Sequence, residues 1–316
     1  MTILVTGATG HIGGRVADLL IEQGAMVRRF ARDPTKAPRL DKAPIVQGEY
    51  ADLASLARAM DGIATVFLVS ALGPPLKRAI LHGNVINAAG MAGVRRLVYL
   101  SFQSASATSP FPYSADHLLT EAHLKQSRLA FTILRDSFYL DILPGMIDAG
   151  GIIRGPAGSG KAAWVAREDV AQAAARVLME DIHQGQTYDI TGPEAFGLEE
   201  AAMRLSTLTG RELRYEDEAP EAARKRQAAT GAPDDEIGAW IGSYLAIGSG
   251  ELSRTSDAMP GLIGREAMTL EAYFTTYPER LGALAPPYRA FEGDAPRYRL
   301  PVSRRDAGLS PRAFMV

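Results

Sequence analysis

The sequence contains no cysteine. That absence excludes disulfides, thiolate nucleophiles and cysteine-held zinc together, and it suits a reducing compartment. An excess of one charge is also missing: 34 Lys and Arg stand against 36 Asp and Glu, a net charge of −2. No basic field therefore recommends nucleic acid or an anionic membrane as a partner. Long hydrophobic runs are absent as well, and the longest, IATVFLVSAL from Ile63, falls far short of a membrane span. A first strand is expected from Thr2, which leaves no room for the charged and apolar regions of a leader, so the expected address is cytoplasmic. The five histidines form no HExxH-type pair, and no metal is expected.

Apolar residues make up 47% of the 316 and charged residues 22%, enough for a full core and about two domains. Short β-branched runs alternate with longer helical patterns: TILVT (2–6), MVRRFA (26–31), PIVQG (44–48), ATVFLV (64–69), RLVYLS (96–101) and AFTILR (130–135). Near-continuous apolar strands separated by helices predict an α/β fold, a doubly wound parallel sheet covered on both faces. GIIRG, AAWVA and QTYDITG are expected to return to that sheet and its edge. From Gly197 the pattern is mostly helical. The expected organisation is a nucleotide-binding domain at 1–190, with 150–165 contributing to a cleft, a smaller substrate lobe at 191–285, and a Pro- and Arg-rich arm or tail at 286–316.

VTGATGHIGG (5–14) follows the first strand and opens a helix. In that context Gly7 permits a tight turn, Gly10 lets the backbone approach a pyrophosphate, and Gly13 lets helix and sheet pack closely. Thr9, His11 and Ile12 complete the turn. At the end of the second strand Arg32, with Lys36 after it, suits a ribose 2′-phosphate, so NADPH/NADP+ is the expected cofactor; Asp33 is the competing NAD-type carboxylate. Asp52 is placed to cap the next helix and is a further cofactor candidate, as are Ser70 and Ser101 after the fourth and at the end of the fifth strand. GPAGSGKA (155–162) imitates a P-loop but has Ala162 where magnesium needs Ser or Thr, and it is read as a glycine-rich flap near the cofactor mouth.

TGATGHIG, RDPTKA, NVINAAGMAGVRRLVYLS, HLLTEAHL, TILRDSFYLD and GPAGSGKAAWVAREDVAQAAA together resemble the NmrA-like branch of atypical short-chain dehydrogenases, within it the type 2 NADPH quinone reductases and triphenylmethane reductases. The likeness covers roughly residues 1–280. It implies a Rossmann-type domain, a small C-terminal lobe, substrate between them, and NADP(H). It also implies that His117 stands where related enzymes carry a catalytic lysine, as a contact to nicotinamide ribose or substrate. Tyr113 departs from the quinone-reductase pattern.

His117 is a poorer cation than lysine, with an ordinary pKa near 6.5. Hydride addition to a quinone or conjugated dye gives a delocalised anion of low basicity, for which a fixed proton donor matters less. The expected activity is therefore NADPH-dependent hydride transfer to a quinone or other conjugated small molecule, with His117 and Tyr113 as the catalytic candidates. Carbonyl or enone reduction with Tyr113 as acid, or non-catalytic NADP(H) sensing, are the alternatives. Phe138 and Tyr139, after the sixth strand, are candidates for contact with a flat substrate. A homodimer is one arrangement open to the chain.

Overall fold

Apolar alternation along the first strand decides which layer lies on which side of the sheet. The computed structural model describes residues 2–37 and 43–284, and the arm expected at 286–316 lies outside the described residues. The elements run β1 (Thr2–Thr6), α1 (His11–Glu22), β2 (Met26–Ala31), β3 (Ile45–Gln47), α2 (Leu53–Met60), β4 (Thr65–Leu68), α3 (Lys77–Met91), β5 (Arg96–Phe102), α4 (Tyr113–Gln126) and β6 (Ala130–Asp136). They continue through β7 (Ile152–Gly155), α5 (Arg167–Met179), β8 (Thr187–Ile190), α6 (Leu198–Thr209), β9 (Arg214–Asp217), α7 (Pro220–Ala228), α8 (Asp234–Gly248), α9 (Ala258–Ile263) and α10 (Leu270–Thr276).

Ile3 and Val5 of β1 join Ile12, Val16 and Leu20 of α1 and Val170 and Leu178 of α5 in one buried layer. Leu4, pointing the other way, joins Leu56, Val85 and Leu124 from α2, α3 and α4. Each fully buried aliphatic side chain of this kind contributes roughly 1.5–3 kcal/mol. Truncating Leu20 to alanine would leave a cavity beneath α1 at a cost of about 2–5 kcal/mol.

Seven strands form one parallel sheet in the order β3-β2-β1-β4-β5-β6-β8. The chain steps outward from β1 to β3 and then returns to place β4 on the other side of β1. That reversal opens a crevice at the carboxyl ends of β1 and β4, the place where ligands collect in open α/β sheets.

Three expectations are corrected. GIIRG does not return to the main sheet: β7 pairs in parallel with β9, a strand that the helical reading of the C-terminal third missed, in a separate two-stranded sheet. AAWVA forms no strand; single bridges, Tyr139 to Val165 and Ala162 to Phe196, and hydrogen bonds such as Ala163 N–H to the Leu252 carbonyl and Trp164 Nε1–H to the Phe196 carbonyl tie it down. The glycine-rich loop is no flap. A Cβ on Gly160 would stand 2.1 Å from the Ile247 carbonyl oxygen, and one on Gly155 would stand 2.1 Å from the Tyr244 ring, so these glycines exist to let the loop press onto α8.

α8 carries Trp240 and Tyr244 into the lobe's core, their ring centroids 4.5 Å apart. Among the described residues no helix is long and apolar enough to cross a membrane.

Candidate active site

The turn between β1 and α1 is built for close approach. Gly7 adopts φ +60, a conformation L side chains rarely take, and a Cβ there would press on Val69 at 3.1 Å. A Cβ on Gly13 would lie 2.4 Å from the Gly7 carbonyl oxygen, so Gly13 cannot carry a side chain without displacing the turn. Gly10 caps α1 without a side-chain hydrogen bond, and the first turn of α1 holds no acidic residue. Backbone donors at a positive helix end therefore face whatever lies above the turn, which fits a pyrophosphate. Thr9 and His11 lie on the same turn, and Ile12 is buried beneath it.

At the end of β2 the side chain of Arg32 is exposed and makes no hydrogen bond or ion pair among the described residues, though its charge reaches Tyr50. Asp33 is committed locally: its Oδ1 accepts from the Thr35 backbone N–H at 3.1 Å and the Thr35 hydroxyl at 2.5 Å, and Lys36 lies 3.7 Å from Oδ2. The Thr35 bonds, and Lys36 after them, hold the Asp33 carboxyl below its ordinary value. Asp52 is likewise engaged as the cap of α2, its Oδ1 accepting from Ala54 and Ser55 N–H. It does not line the cavity described next.

That cavity sits at the switch point, walled by Ile12, by Val69 and Ser70 after β4, by Leu100, Ser101 and Phe102 of β5, and by Asp136, Ser137, Phe138 and Tyr139 at the end of β6. Arg78 from α3, Phe111, and Tyr113 and His117 from α4 close it. The fold thus brings Ile12, Ser70, Ser101, Tyr113, His117, Phe138 and Tyr139 into one place. Arg32 and Lys36 stay apart from it, just beyond the carboxyl end of β2.

Sequence reasoning missed the cavity's cation. Arg78 is buried, yet no carboxylate lies within ion-pair distance of it among the described residues. Its Nε donates to the Ala71 carbonyl at 2.8 Å, its guanidinium carbon stands 4.3 Å over the Tyr113 ring, and its Nη2 lies 3.5 Å from His117 Nε2. Arginine only donates, so Nε2 is the bare nitrogen of His117 and Nδ1 carries the proton, donating to the Tyr99 hydroxyl at 2.8 Å. Burial, and then the Arg78 charge, push the His117 pKa well below its usual range. A neutral ring does not supply the cation that lysine brings to this position in related enzymes. The Tyr113 hydroxyl is itself pushed up by burial, and its ring serves as the face on which Arg78 rests.

Ser101 is also committed, donating to Glu121 Oε1 at 2.7 Å, while Arg135 clamps Glu121 from the other side with Nε at 2.7 Å. Burial pushes the Glu121 carboxyl up, but the Arg135 and Ser101 hydrogen bonds outweigh it, and it stays below its ordinary range. Ser70 donates to the Leu100 carbonyl at 3.1 Å. Asp136, the second omission, ends β6 with its carboxyl group hydrogen-bonded to the Tyr139 hydroxyl. A charged residue at the carboxyl end of a central parallel strand was the signal available in TILRDSFY. Arg78, inside an ordinary-looking LKRAI, offered none.

Residues 7–181 match the model of a family described as NAD(P)H-binding. The chain is 34% identical over 278 residues to quinone oxidoreductase 2 of Escherichia coli strain K12, covering 85% of this chain and 96% of that one. Among solved structures, the NADPH complex of the Escherichia coli NADPH-dependent quinone oxidoreductase superposes with a TM-score of 0.80 at 31% identity, covering 88% of this chain and 99% of that one. The NADP(H) complex of Citrobacter sp. triphenylmethane reductase does so with a TM-score of 0.78 at 30% identity, covering 87% and 99%.

Proposed function

Because the chain belongs to the NAD(P)H-binding family, we propose that it is an NADPH-dependent oxidoreductase that passes hydride to a quinone or similarly conjugated small molecule. The observation that carries this reading is the cavity at the β1/β4 switch point, directly beyond the glycine turn, walled by aromatic rings and holding one buried cation. When bound, the dinucleotide supplies the hydride; the protein supplies position and charge. Gly7, Gly10 and Gly13 and the α1 N-terminus would hold the pyrophosphate. Arg32, which makes no side-chain hydrogen bond or ion pair among the described residues, would take the 2′-phosphate.

Phe102, Phe111, Phe138 and Tyr139 form apolar walls that suit a flat acceptor and exclude water. Arg78 stabilises negative charge that develops on the acceptor's oxygen, an effect strengthened by its burial. Neutral His117, fixed between Tyr99 and Arg78, holds that guanidinium in place and presents no competing charge. The small lobe, from β7 and β9 through α10, shares a core with the cavity residues Phe111 and Phe138 and would serve as the substrate domain.

The test follows NADPH absorbance with purified protein and a panel of quinones. Loss of absorbance only when an acceptor is present supports the reading, as does slower loss with Arg78→Met. Tight NADPH binding without turnover on any acceptor overturns it.

A further inference from the structure

Hydride transfer leaves one requirement unmet: an acceptor whose adduct is strongly basic needs a proton, and His117 is held neutral with its one N–H committed to Tyr99. We propose, resting on the reductase reading above, that Tyr139 and Asp136 form a proton-donating pair in this cavity, which brings conjugated enones within its substrate range.

Asp136 is the last residue of β6 and is 4% exposed; Tyr139 follows three residues later, and its hydroxyl meets Asp136 Oδ2. Both line the cavity. Between them Ser137 is buried, lines the same wall, and leaves its Oγ with no partner among the described residues. A buried hydroxyl left over beside an acid pair is what a polar ligand atom would complete.

The charged groups facing the pair come from four directions. Arg167, at the start of α5, stands 4.6 Å over the Tyr139 ring. Asp141, on the turn after β6, accepts from the Arg167 backbone N–H at 3.0 Å and the Tyr273 hydroxyl at 2.6 Å. Arg78 and neutral His117 lie across the cavity on α3 and α4. Burial pushes Asp136 up to about 8, against the pull of the Tyr139 hydrogen bond and the Arg167 charge. Asp136 is thus a neutral acid at pH 7. Tyr139 is raised well above its usual value, first by burial and then by Asp136, so alone it would be slow to release its proton. With an acid behind it, it gains one proton as it gives up another. In that state Asp136 Oδ2–H donates to the phenol oxygen, and the phenol proton turns to the cavity.

The atoms balance as follows. An enone accepts hydride at its β carbon and is reduced by two electrons, the dinucleotide being oxidised by two; the C=C electron pair shifts to give an enolate. The enolate takes the phenol proton as the Tyr139 O–H bond breaks. The phenol oxygen takes the Asp136 proton, leaving a carboxylate that solvent reprotonates after product leaves. Tyr139 is the residue that touches substrate, and Asp136 supplies it.

Two acceptors separate this role from a structural one: 2-cyclohexenone, whose adduct needs a proton, and malachite green, a cationic triphenylmethane dye that becomes neutral on taking hydride and needs none. With the full chain and NADPH, Asp136→Asn and Tyr139→Phe should each lower kcat on the enone about 100-fold, while dye reduction falls only a few-fold. The wild-type enone profile should hold below pH 8 and fall above it, and Asp136→Asn should abolish that limb. In the cofactor-free protein, the carbon-13 shift of the Asp136 carboxyl should titrate near 8. Equal loss on both acceptors, or an Asp136 carboxyl titrating near its ordinary value of about 4, would overturn the proposal. Wild type that reduces the dye but not the enone overturns it too and leaves the reductase reading standing. Wild type that reduces neither overturns both.

Discussion

Nη2 of Arg78 lies 3.5 Å from Nε2 of His117, and this contact makes the histidine a bare-Nε2, neutral ring beside a buried cation. His82, one turn along α3 from Arg78, repeats the arrangement. Its Nε2 accepts from the Ala71 backbone N–H at 2.8 Å, Nδ1 meets Thr120, and burial followed by the Arg78 charge lowers it to about 3.

Both histidines are protonated in the unfolded chain below about pH 6.5 but not in the folded one. Their folded pKa values are depressed, so the unfolded state binds more protons as pH falls. Stability is therefore fully present above pH 6.5 and is lost below it, at about 1.4 kcal/mol per pH unit for each ring. Urea unfolding at pH 5 and pH 7 should show this slope, and His82→Gln should reduce it. An identical slope in the variant would remove His82 from the account.

Arg78→Met should separate activity from stability. Among the described residues this buried guanidinium has no carboxylate in ion-pair contact, only the more distant charge of Asp116, so its desolvation cost is poorly offset and the variant should keep or raise Tm. Its kcat on a quinone should fall about 100-fold, because the charge that stabilises the developing oxyanion is gone. A large drop in Tm would mean that the guanidinium acts mainly as a structural tie to Ala71 and Tyr113.

Arg32→Ala should weaken NADPH binding by about 10- to 100-fold, the scale of a lost charge-assisted contact, and leave NADH affinity near its wild-type value. Because Arg32 is exposed and its side chain makes no hydrogen bond or ion pair among the described residues, Tm should hardly move. Isothermal titration with both nucleotides reads the difference; equal losses would place the 2′-phosphate elsewhere.

Gly13→Ala and Gly160→Ala should fail in different ways. The first puts a Cβ 2.4 Å from the Gly7 carbonyl oxygen and should abolish dinucleotide binding. The second puts one 2.1 Å from the Ile247 carbonyl oxygen, should cost about 1–3 kcal/mol by urea unfolding, and should leave NADPH affinity intact. Reduced NADPH affinity in the folded Gly160 variant would restore the loop to the cofactor's mouth.

The strand–helix alternation of the first 190 residues was legible because a parallel strand buried on both faces must be apolar at nearly every position. β7 and β9 were not legible as partners. IIRG and RYED are four-residue segments that pair across some sixty residues, and no local pattern marks such a pairing. AAWVA has strand-like composition because Trp164 and its neighbours fill a core, which burial alone demands.

The sequence by itself determined the sheet and the glycine turn, since these depend on periodicity and on backbone freedom within a few residues. Tertiary structure decided the chemistry of the other end. Arg78 and His117 are 39 positions apart, and only folding places that cation where it fixes the ring's proton. Asp136 and Tyr139 are near in sequence, but burial is what raises both pKa values and keeps their protons on, and desolvation is a property of the packed molecule rather than of the chain.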